Sequence, residues 1–148
     1  MLDKEFIKNK ITFIQEELAF LQKYKSCSLQ EIVSDYFKHT IIERILERII
    51  NDAIDINQHI ISEKSKKEIP NDYKETFLLL AVLKVLPLKF ADNISKSIGL
   101  RNILTHNYRK LDEKLFYNSI KSCLIDYNKY CEIVLRYVKK QNGKNNNK

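Results

Sequence analysis

The sequence predicts an all-α protein, an up-and-down antiparallel bundle of four main helices in a single domain. Glycine and proline number only two each among the 148 residues, whereas a fold with many tight turns or hairpins needs far more of both. Apolar residues recur at intervals of three and four over long stretches, which is the period of an amphipathic helix. No stretch offers a convincing strand, and a chain of this length is expected to form one domain.

The first predicted helix runs from about Asp3 to Tyr24 and carries one regular apolar seam. Its members are spaced by four and three, as expected for a face packed inside a bundle: Ile7, Ile11, Ile14, Leu18 and Leu21. A short segment, SLQEIVSDYF, follows, with Ser28 as its predicted N-cap. No linker separates this segment from the next helix.

The second main helix is predicted from about Lys38 to Ser62. Its apolar residues come in adjacent pairs from Ile41 to Ile61, which makes a face wider than one neighbouring helix covers. The opposite side carries a polar stripe with spacings of four, four, three and four: Arg44, Arg48, Asp52, Asp55 and His59. From spacing alone, this stripe is a solvent-exposed face stabilised by charge pairs one turn apart.

The third main helix is predicted to be broken at Pro87. The segment SEKSKKEIPND before it is the clearest loop, and Asp72 with Glu75 resembles a capping box that opens a helix through FLLLAVLKVL. Pro87 interrupts that pattern and is predicted to lie in the first turn of the next helical segment, PLKFADNISKSIGLRNILTH.

The fourth main helix is predicted from about Asp112 to Lys140. Its seam again steps by four and three: Phe116, Ile120, Cys123, Tyr127, Cys131, Val134 and Val138. The helical domain is therefore assigned to residues 1–140. Residues 141–148 form a basic, asparagine-rich segment that is predicted to be a disordered tail.

Composition and charge limit the classes of protein to which this chain can belong. No run approaches the roughly 18 uncharged apolar residues of a membrane span, and the charged N-terminus does not resemble a signal peptide. Cys27, Cys123 and Cys131 lack the spacing of a zinc site and are interpreted as buried, reduced thiols of a cytoplasmic protein. The net charge of +7 favours a polyanionic partner such as RNA, although charge alone is weak support.

The segment RNILTHNY holds the candidate functional residues. A helical residue turns by about 100°, so Asn102 and His106 share one face while Arg101 and Thr105 form the neighbouring row. Arg101 and His106 then lie about 140° apart, and one straight helix does not direct both at one small target. Either the helix ends near His106 or two copies of the chain meet. From the residues alone, an ordinary surface helix end is the commoner explanation.

Arg101, His106 and Tyr108 form the pattern R-x4-H-x-Y, which resembles the signature of the HEPN superfamily in its HepT toxin branch. The similarity extends through ERIINDAIDINQHIISEK and through PNDYKETFLLLAVLKVLPLKFADNISKSIGLRNILTHNYRKLD. With the flanking helices it covers nearly the whole chain. The short motif alone is a weak signal, whereas the motif within this longer similarity is a strong one.

The resemblance implies a HEPN-like bundle that dimerises through its motif helices and forms a composite cleft. It implies a metal-independent endoribonuclease without a cofactor, which is the toxin of a type VII toxin–antitoxin pair and cleaves transfer RNA or messenger RNA. Arg101 and His106 are then the catalytic residues, with Asn102 and Tyr108 in support. The implied antitoxin is an MntA-like minimal nucleotidyltransferase that transfers AMP to Tyr108.

The chemistry of RNA cleavage suits these residue types. A neutral histidine accepts the proton of an attacking 2′-hydroxyl near pH 7, and an arginine binds phosphate through paired N–H groups. In this context the polar stripe becomes a possible wall of the cleft: Arg48, Asp52, Asp55 and His59. The main alternative is a HEPN dimer that binds nucleotides or a partner without cleavage, which the presence of both Arg101 and His106 disfavours. A structural bundle with a fortuitous motif is the second alternative.

Overall fold

The computed structural model describes residues 2–65 and 67–146, except for the side chains of Tyr108 and of residues 142–146. The described chain is helical, without strands, which confirms the predicted all-α class. Its helices are α1 (Lys4–Gln22), α2 (Leu29–Val33), α3 (Tyr36–Lys64), α4 (Tyr73–Val82), α5 (Leu88–Ser95), α6 (Ser97–His106) and α7 (Glu113–Asn146), with a short 3-10 helix at Tyr108–Lys110 between the last two.

Three long helices, α1, α3 and α7, form the frame of the bundle, and the shorter α4, α5 and α6 together take the place of the fourth. Every residue of the two predicted seams on α1 and α7 is buried. The wide apolar face predicted for α3 is confirmed, because α3 packs against five other helices: α1, α2, α4, α6 and α7. Helices of the same chain therefore cover this face, so its width does not indicate a second copy.

The third main helix is divided twice, once as predicted and once in addition. The predicted break is confirmed, since α4 ends before Pro87 and Pro87 is the N-cap of α5. A second break at Lys96 separates α5 from α6. Ser95 and Ser97 flank this break, and each donates a hydroxyl hydrogen bond to a backbone carbonyl three residues earlier. Such bonds compete with a continuous helix.

The chain turns between α4 and α5 at Lys84, which has a left-handed backbone conformation with a φ of 62°. The N–H of Val85 donates to the carbonyl of Leu80 at 2.8 Å, and the N–H of Lys84 donates to the carbonyl of Ala81 at 3.0 Å. These are the two hydrogen bonds of a Schellman motif, in which glycine usually takes the left-handed position. The turn brings α5 back to pack against α4.

Helix α7 continues to Asn146, past the end that its apolar seam predicts. Residues 141–146, expected from the sequence to belong to a disordered tail, therefore have a helical backbone here. No proline lies in this segment to stop the helix. Residues 147 and 148 lie outside the described part of the chain, and the domain boundary at residue 140 stays a prediction.

Two of the three thiols are buried as predicted. Burial raises the pKa of Cys123 and that of Cys131 to about 12, so both are protonated near neutral pH. Cys27 differs in being half-buried. Within the described residues, none of the helices has the length and apolar character needed to span a bilayer.

A buried polar network fixes the start of α4 relative to α3 and α7. The hydroxyl of Tyr130 donates to Oδ1 of Asn57 at 2.6 Å, and Nδ2 of Asn57 donates to the hydroxyl of Thr76 at 3.1 Å. Thr76 in turn donates to the carbonyl oxygen of Tyr73 at 2.6 Å. The side chains of Asn57, Thr76 and Tyr130 are fully buried, so their hydrogen bonds are costly to lose. The network thereby sets the position of Tyr73, the first residue of α4.

Candidate functional site

Arg101 is held by residues of three helices. Its Nε donates to Oδ1 of Asn51 on α3 at 2.9 Å, and its Nη1 donates to Oδ1 of Asn102 at 3.3 Å. Its guanidinium carbon lies 5.0 Å from the centroid of the Tyr73 ring, at the start of α4. A guanidinium has five N–H donors. Among the described residues, hydrogen bonds use two of them, which leaves the others for a ligand.

Thr105 lies one turn after Arg101 on α6, and its partner Glu47 lies one turn before Asn51 on α3. The hydroxyl of Thr105 donates to Oε2 of Glu47 at 2.9 Å, while Arg44 pairs with Oε1 of the same carboxylate at 3.1 Å. The later residue of α6 thus meets the earlier residue of α3, so the two helices run antiparallel. Arg101 and Thr105 share one row of α6, as predicted, and the structure shows that this row faces α3.

His106 is the last residue of α6, and its side chain is exposed. The helix ends there because the N–H of Asn107 donates to the carbonyl of Ile103 at 2.8 Å and the backbone then leaves the helical region. Within the described residues the side chain of His106 has no hydrogen-bond partner. Asn102, one turn earlier on the same face, is also exposed, and its amide oxygen binds Arg101. His106 is therefore accessible to a ligand in solution.

Tyr108 opens the short 3-10 helix, two residues after His106. The N–H of Lys110 donates to the carbonyl of Asn107 at 2.9 Å, which closes this turn. The side chain of Tyr108 lies outside the described part of the structure. Its predicted roles in support of catalysis and as a modification site therefore stay predictions.

Four residues of the polar stripe of α3 contact α1: Arg48, Asp52, Asp55 and His59. Lys10 of α1 lies 3.3 Å from a carboxylate oxygen of Asp52 and 2.9 Å from one of Asp55. The hydrogen bond that Lys10 donates to Asp55 raises the pKa of Lys10, so the ammonium stays charged. Burial, together with the negative charges of Asp55 and Glu17, raises the pKa of the Asp52 carboxyl, although Lys10 lowers it. These groups form a partly buried interhelical cluster.

Arg48 and His59 make similar contacts with α1. Nη1 of Arg48 lies 3.3 Å from Oε1 of Glu17, and Nε2 of His59 accepts a hydrogen bond from the backbone N–H of Asp3 at 2.9 Å. The stripe is thus more than the simple solvent-exposed face that its spacing suggests. Its place in a cleft wall stays a prediction.

A second histidine, His39, joins the start of α3 to the start of α7. Its ring nitrogens lie 2.9 Å from Oε2 of Glu43 and 2.7 Å from Oε2 of Glu113, and its ring stacks on Phe116 at 4.4 Å. Burial alone lowers the pKa of His39, but the hydrogen bonds and charges of the two carboxylates outweigh it and raise the pKa above the ordinary value. His39 therefore forms structural ion pairs that link α3 to α7, next to the segment that follows the motif.

Sequence reasoning did not identify Asn51, Glu47 or Tyr73 as parts of this site. Glu47 and Asn51 are spaced by four on α3, which is a visible signal for a polar row. No sequence pattern marks Tyr73 in this way, because it contacts Arg101 only as a result of the packing of α4 against α3. Within the described residues, no group of three or more histidine, cysteine or carboxylate side chains is arranged to hold a metal ion.

Comparison with known families gives a match over most of the chain. A sequence model described as "Ribonuclease HepT-like" matches residues 14–134. A protein from Aphanizomenon flos-aquae named tRNA nuclease HepT is 33% identical over 138 residues, which is 93% of this chain and 92% of that protein. A Shewanella oneidensis protein named mRNA nuclease HepT is 26% identical over 130 residues, covering 88% and 96% of the two chains.

Comparison with solved structures gives a matching fold. The structure of the tri-AMPylated Shewanella oneidensis HEPN toxin in complex with MNT antitoxin superposes with a TM-score of 0.80 and 26% identity. The match covers 92% of this chain and 99% of that toxin chain. The HEPN-like architecture expected from the R-x4-H-x-Y segment is therefore confirmed.

Proposed function

The chain belongs to the HepT-like ribonuclease family, and on that basis we propose that it is a metal-independent endoribonuclease toxin whose active site contains Arg101 and His106. The relatives are named as nucleases of transfer RNA and of messenger RNA. Either RNA class is a candidate substrate for this protein. Asn102 supports the site by accepting a hydrogen bond from Arg101.

The observation that carries this proposal is the contrast between two residues of one helix. Arg101 is fixed by Asn51, Asn102 and Tyr73, whereas the side chain of His106 is exposed at the helix end and has no partner among the described residues. A fixed cation and an accessible imidazole are the two groups needed for a reaction in which a phosphate is held and a proton is moved. A purely structural helix end does not need both features.

The cleavage reaction follows from these two groups. The 2′-hydroxyl of one ribose attacks the adjacent phosphorus while the neutral imidazole of His106 takes its proton. The free N–H groups of Arg101 hold the phosphate oxygens and stabilise the added negative charge in the transition state. The bond from phosphorus to the 5′-oxygen of the next nucleotide breaks and that oxygen takes a proton from water, so the products carry a 2′,3′-cyclic phosphate and a 5′-hydroxyl. Each step uses side chains of the protein and water.

A homodimer completes the proposed site. The row of Arg101 faces α3 and the row of His106 faces outward, so one subunit does not aim both at the same phosphate. A symmetric pair of motif helices brings Arg101 of one subunit near His106 of the other. The composite cleft then has a fixed cation and a free base on each side.

The proposed antitoxin is an MntA-like nucleotidyltransferase that modifies Tyr108. In support, a similar toxin has been solved in an AMPylated form together with an MNT antitoxin. The phenol oxygen attacks the α-phosphorus of ATP, pyrophosphate leaves, and the phenolic proton is lost. The new phosphodiester carries a negative charge two residues from His106, where it competes with the RNA phosphate for Arg101.

End-group analysis of cleaved RNA tests this function. We expect the purified protein to cleave single-stranded RNA in excess EDTA and to leave cyclic-phosphate and 5′-hydroxyl ends. An RNA with 2′-O-methyl groups at the cleaved positions lacks the nucleophile and is the matched control. Binding of RNA without any cleavage contradicts the proposal and favours the non-catalytic HEPN module instead.

A further inference from the structure

A cavity of about 440 Å³ lies beside Arg101, between the start of α4 and the first turns of α6. Its lining residues are Asn71, Asp72, Tyr73, Lys74, Ile98, Gly99 and Asn102. The volume is within the range of sites that bind small organic groups. The Tyr73 ring lines this cavity and also contacts Arg101, whose guanidinium carbon lies 5.0 Å from the ring centroid.

The chemistry of the lining suits a nucleobase. Tyr73 is 41% exposed and offers an aromatic surface of the kind on which bases stack. The amides of Asn71 and Asn102 supply both donors and acceptors for the polar edge of a base, while Ile98 adds an apolar surface. Lys74 brings a positive charge to the rim. An aromatic ring with amides and a cation at the rim is typical of sites for single-stranded RNA.

We propose that this cavity is a nucleobase-binding subsite that holds the base of a nucleotide whose phosphate is bound by Arg101. The inference rests on the proposed ribonuclease function and extends it by naming the residues that contact a base. Because Tyr73 contacts both the cavity and Arg101, a base in the cavity sits next to the guanidinium that binds phosphate. The subsite therefore selects which phosphate of an RNA strand reaches His106.

Gly99 gives a means of closing the cavity without disturbing Arg101. A Cβ atom added at Gly99 meets no heavy atom within 4 Å, so a larger side chain enters open space. Gly99 lies in α6, where glycine is a poor helix former. Gly99→Ala is therefore expected to raise the melting temperature, and Gly99→Leu is expected to keep the fold while filling the cavity with a branched side chain.

Nucleotide binding provides the direct test, in the inactive His106→Ala background. Isothermal titration calorimetry with adenosine, cytidine, guanosine and uridine 3′-monophosphates is compared with inorganic phosphate as the probe for the Arg101 contact alone. We expect at least one nucleotide to bind more tightly than phosphate, and Gly99→Leu to weaken that binding by about tenfold or more. Gln15→Leu, which also places a leucine on an exposed helical position, is the control and should bind normally.

Two results overturn the subsite: equal binding of phosphate and all four nucleotides, or unchanged nucleotide binding in a folded Gly99→Leu protein. In the active protein, Gly99→Leu should raise KM for RNA more than it lowers kcat, and it should change the distribution of cleavage positions. An active enzyme that cleaves the same positions with the same KM after Gly99→Leu refutes the subsite alone. A wild-type protein that cleaves no RNA refutes the ribonuclease function itself.

Discussion

Nε of Arg101 donates a hydrogen bond to Oδ1 of Asn51 at 2.9 Å, linking residues 50 positions apart in the sequence. A hydrogen bond at Nε fixes the plane of the guanidinium while leaving its outer N–H groups available. Asn51 is half-buried in the middle of α3, where the surrounding core holds its backbone in place. We therefore interpret Asn51 as the residue that positions Arg101.

Asn51→Ala should lower kcat for RNA cleavage about tenfold with little change in thermal stability, because it removes a hydrogen bond to a charged group. Gln58→Ala, the loss of an exposed amide on the same helix, is the control. The positioning role predicts that Asn51→Ala has no further effect in an Arg101→Ala protein. An equal loss in both backgrounds would show that Asn51 acts independently of Arg101.

Lys84→Gly should stabilise the protein by about 1 kcal/mol, because glycine has no Cβ atom and adopts the left-handed conformation without steric cost. For a chain of this size the melting temperature is expected to rise by about 2 to 4 °C. Lys89→Gly, within helix α5, is the matched control and should lower the melting temperature. A lower melting temperature for both variants contradicts the strain inferred at Lys84.

The contribution of His39 to stability should decrease as the pH rises. Its folded pKa is raised, so the stabilisation is fully present below the ordinary pKa of 6.5 and is lost as the pH passes through the higher folded value. Melting temperatures of wild type and His39→Gln, measured between about pH 6 and pH 9, should converge toward high pH. A difference that widens with pH contradicts this charge assignment.

The parts of this structure that follow from local sequence were predictable. The seams of α1 and α7 depend only on helical period, and the shared row of Arg101 and Thr105 follows from the turn per residue. The break at Lys96 was missed because no proline marks it. The contact between Tyr73 and Arg101 was missed because it depends on how α4 returns over α3, which no local pattern records.

The composite cleft predicts that two inactive variants complement each other. Arg101→Ala and His106→Ala should each be inactive alone, while heterodimers formed by co-expression contain one complete site. Random pairing should restore about a quarter of wild-type activity, since half of the dimers are mixed and each has one of two sites. No recovery in a verified heterodimer would show that both residues act within one subunit.

The most direct measurement of the central claim is the single-turnover rate of RNA cleavage by His106→Ala in EDTA, beside wild type and Arg136→Ala. Arg136 pairs with Glu132 on the exposed surface of α7 and serves as the control for loss of a surface side chain. Loss of a positioned general base predicts a rate reduced by about 10² to 10⁴, with a circular dichroism spectrum like that of wild type. A His106→Ala protein that cleaves RNA at the wild-type rate would contradict the assignment of His106 as the catalytic base.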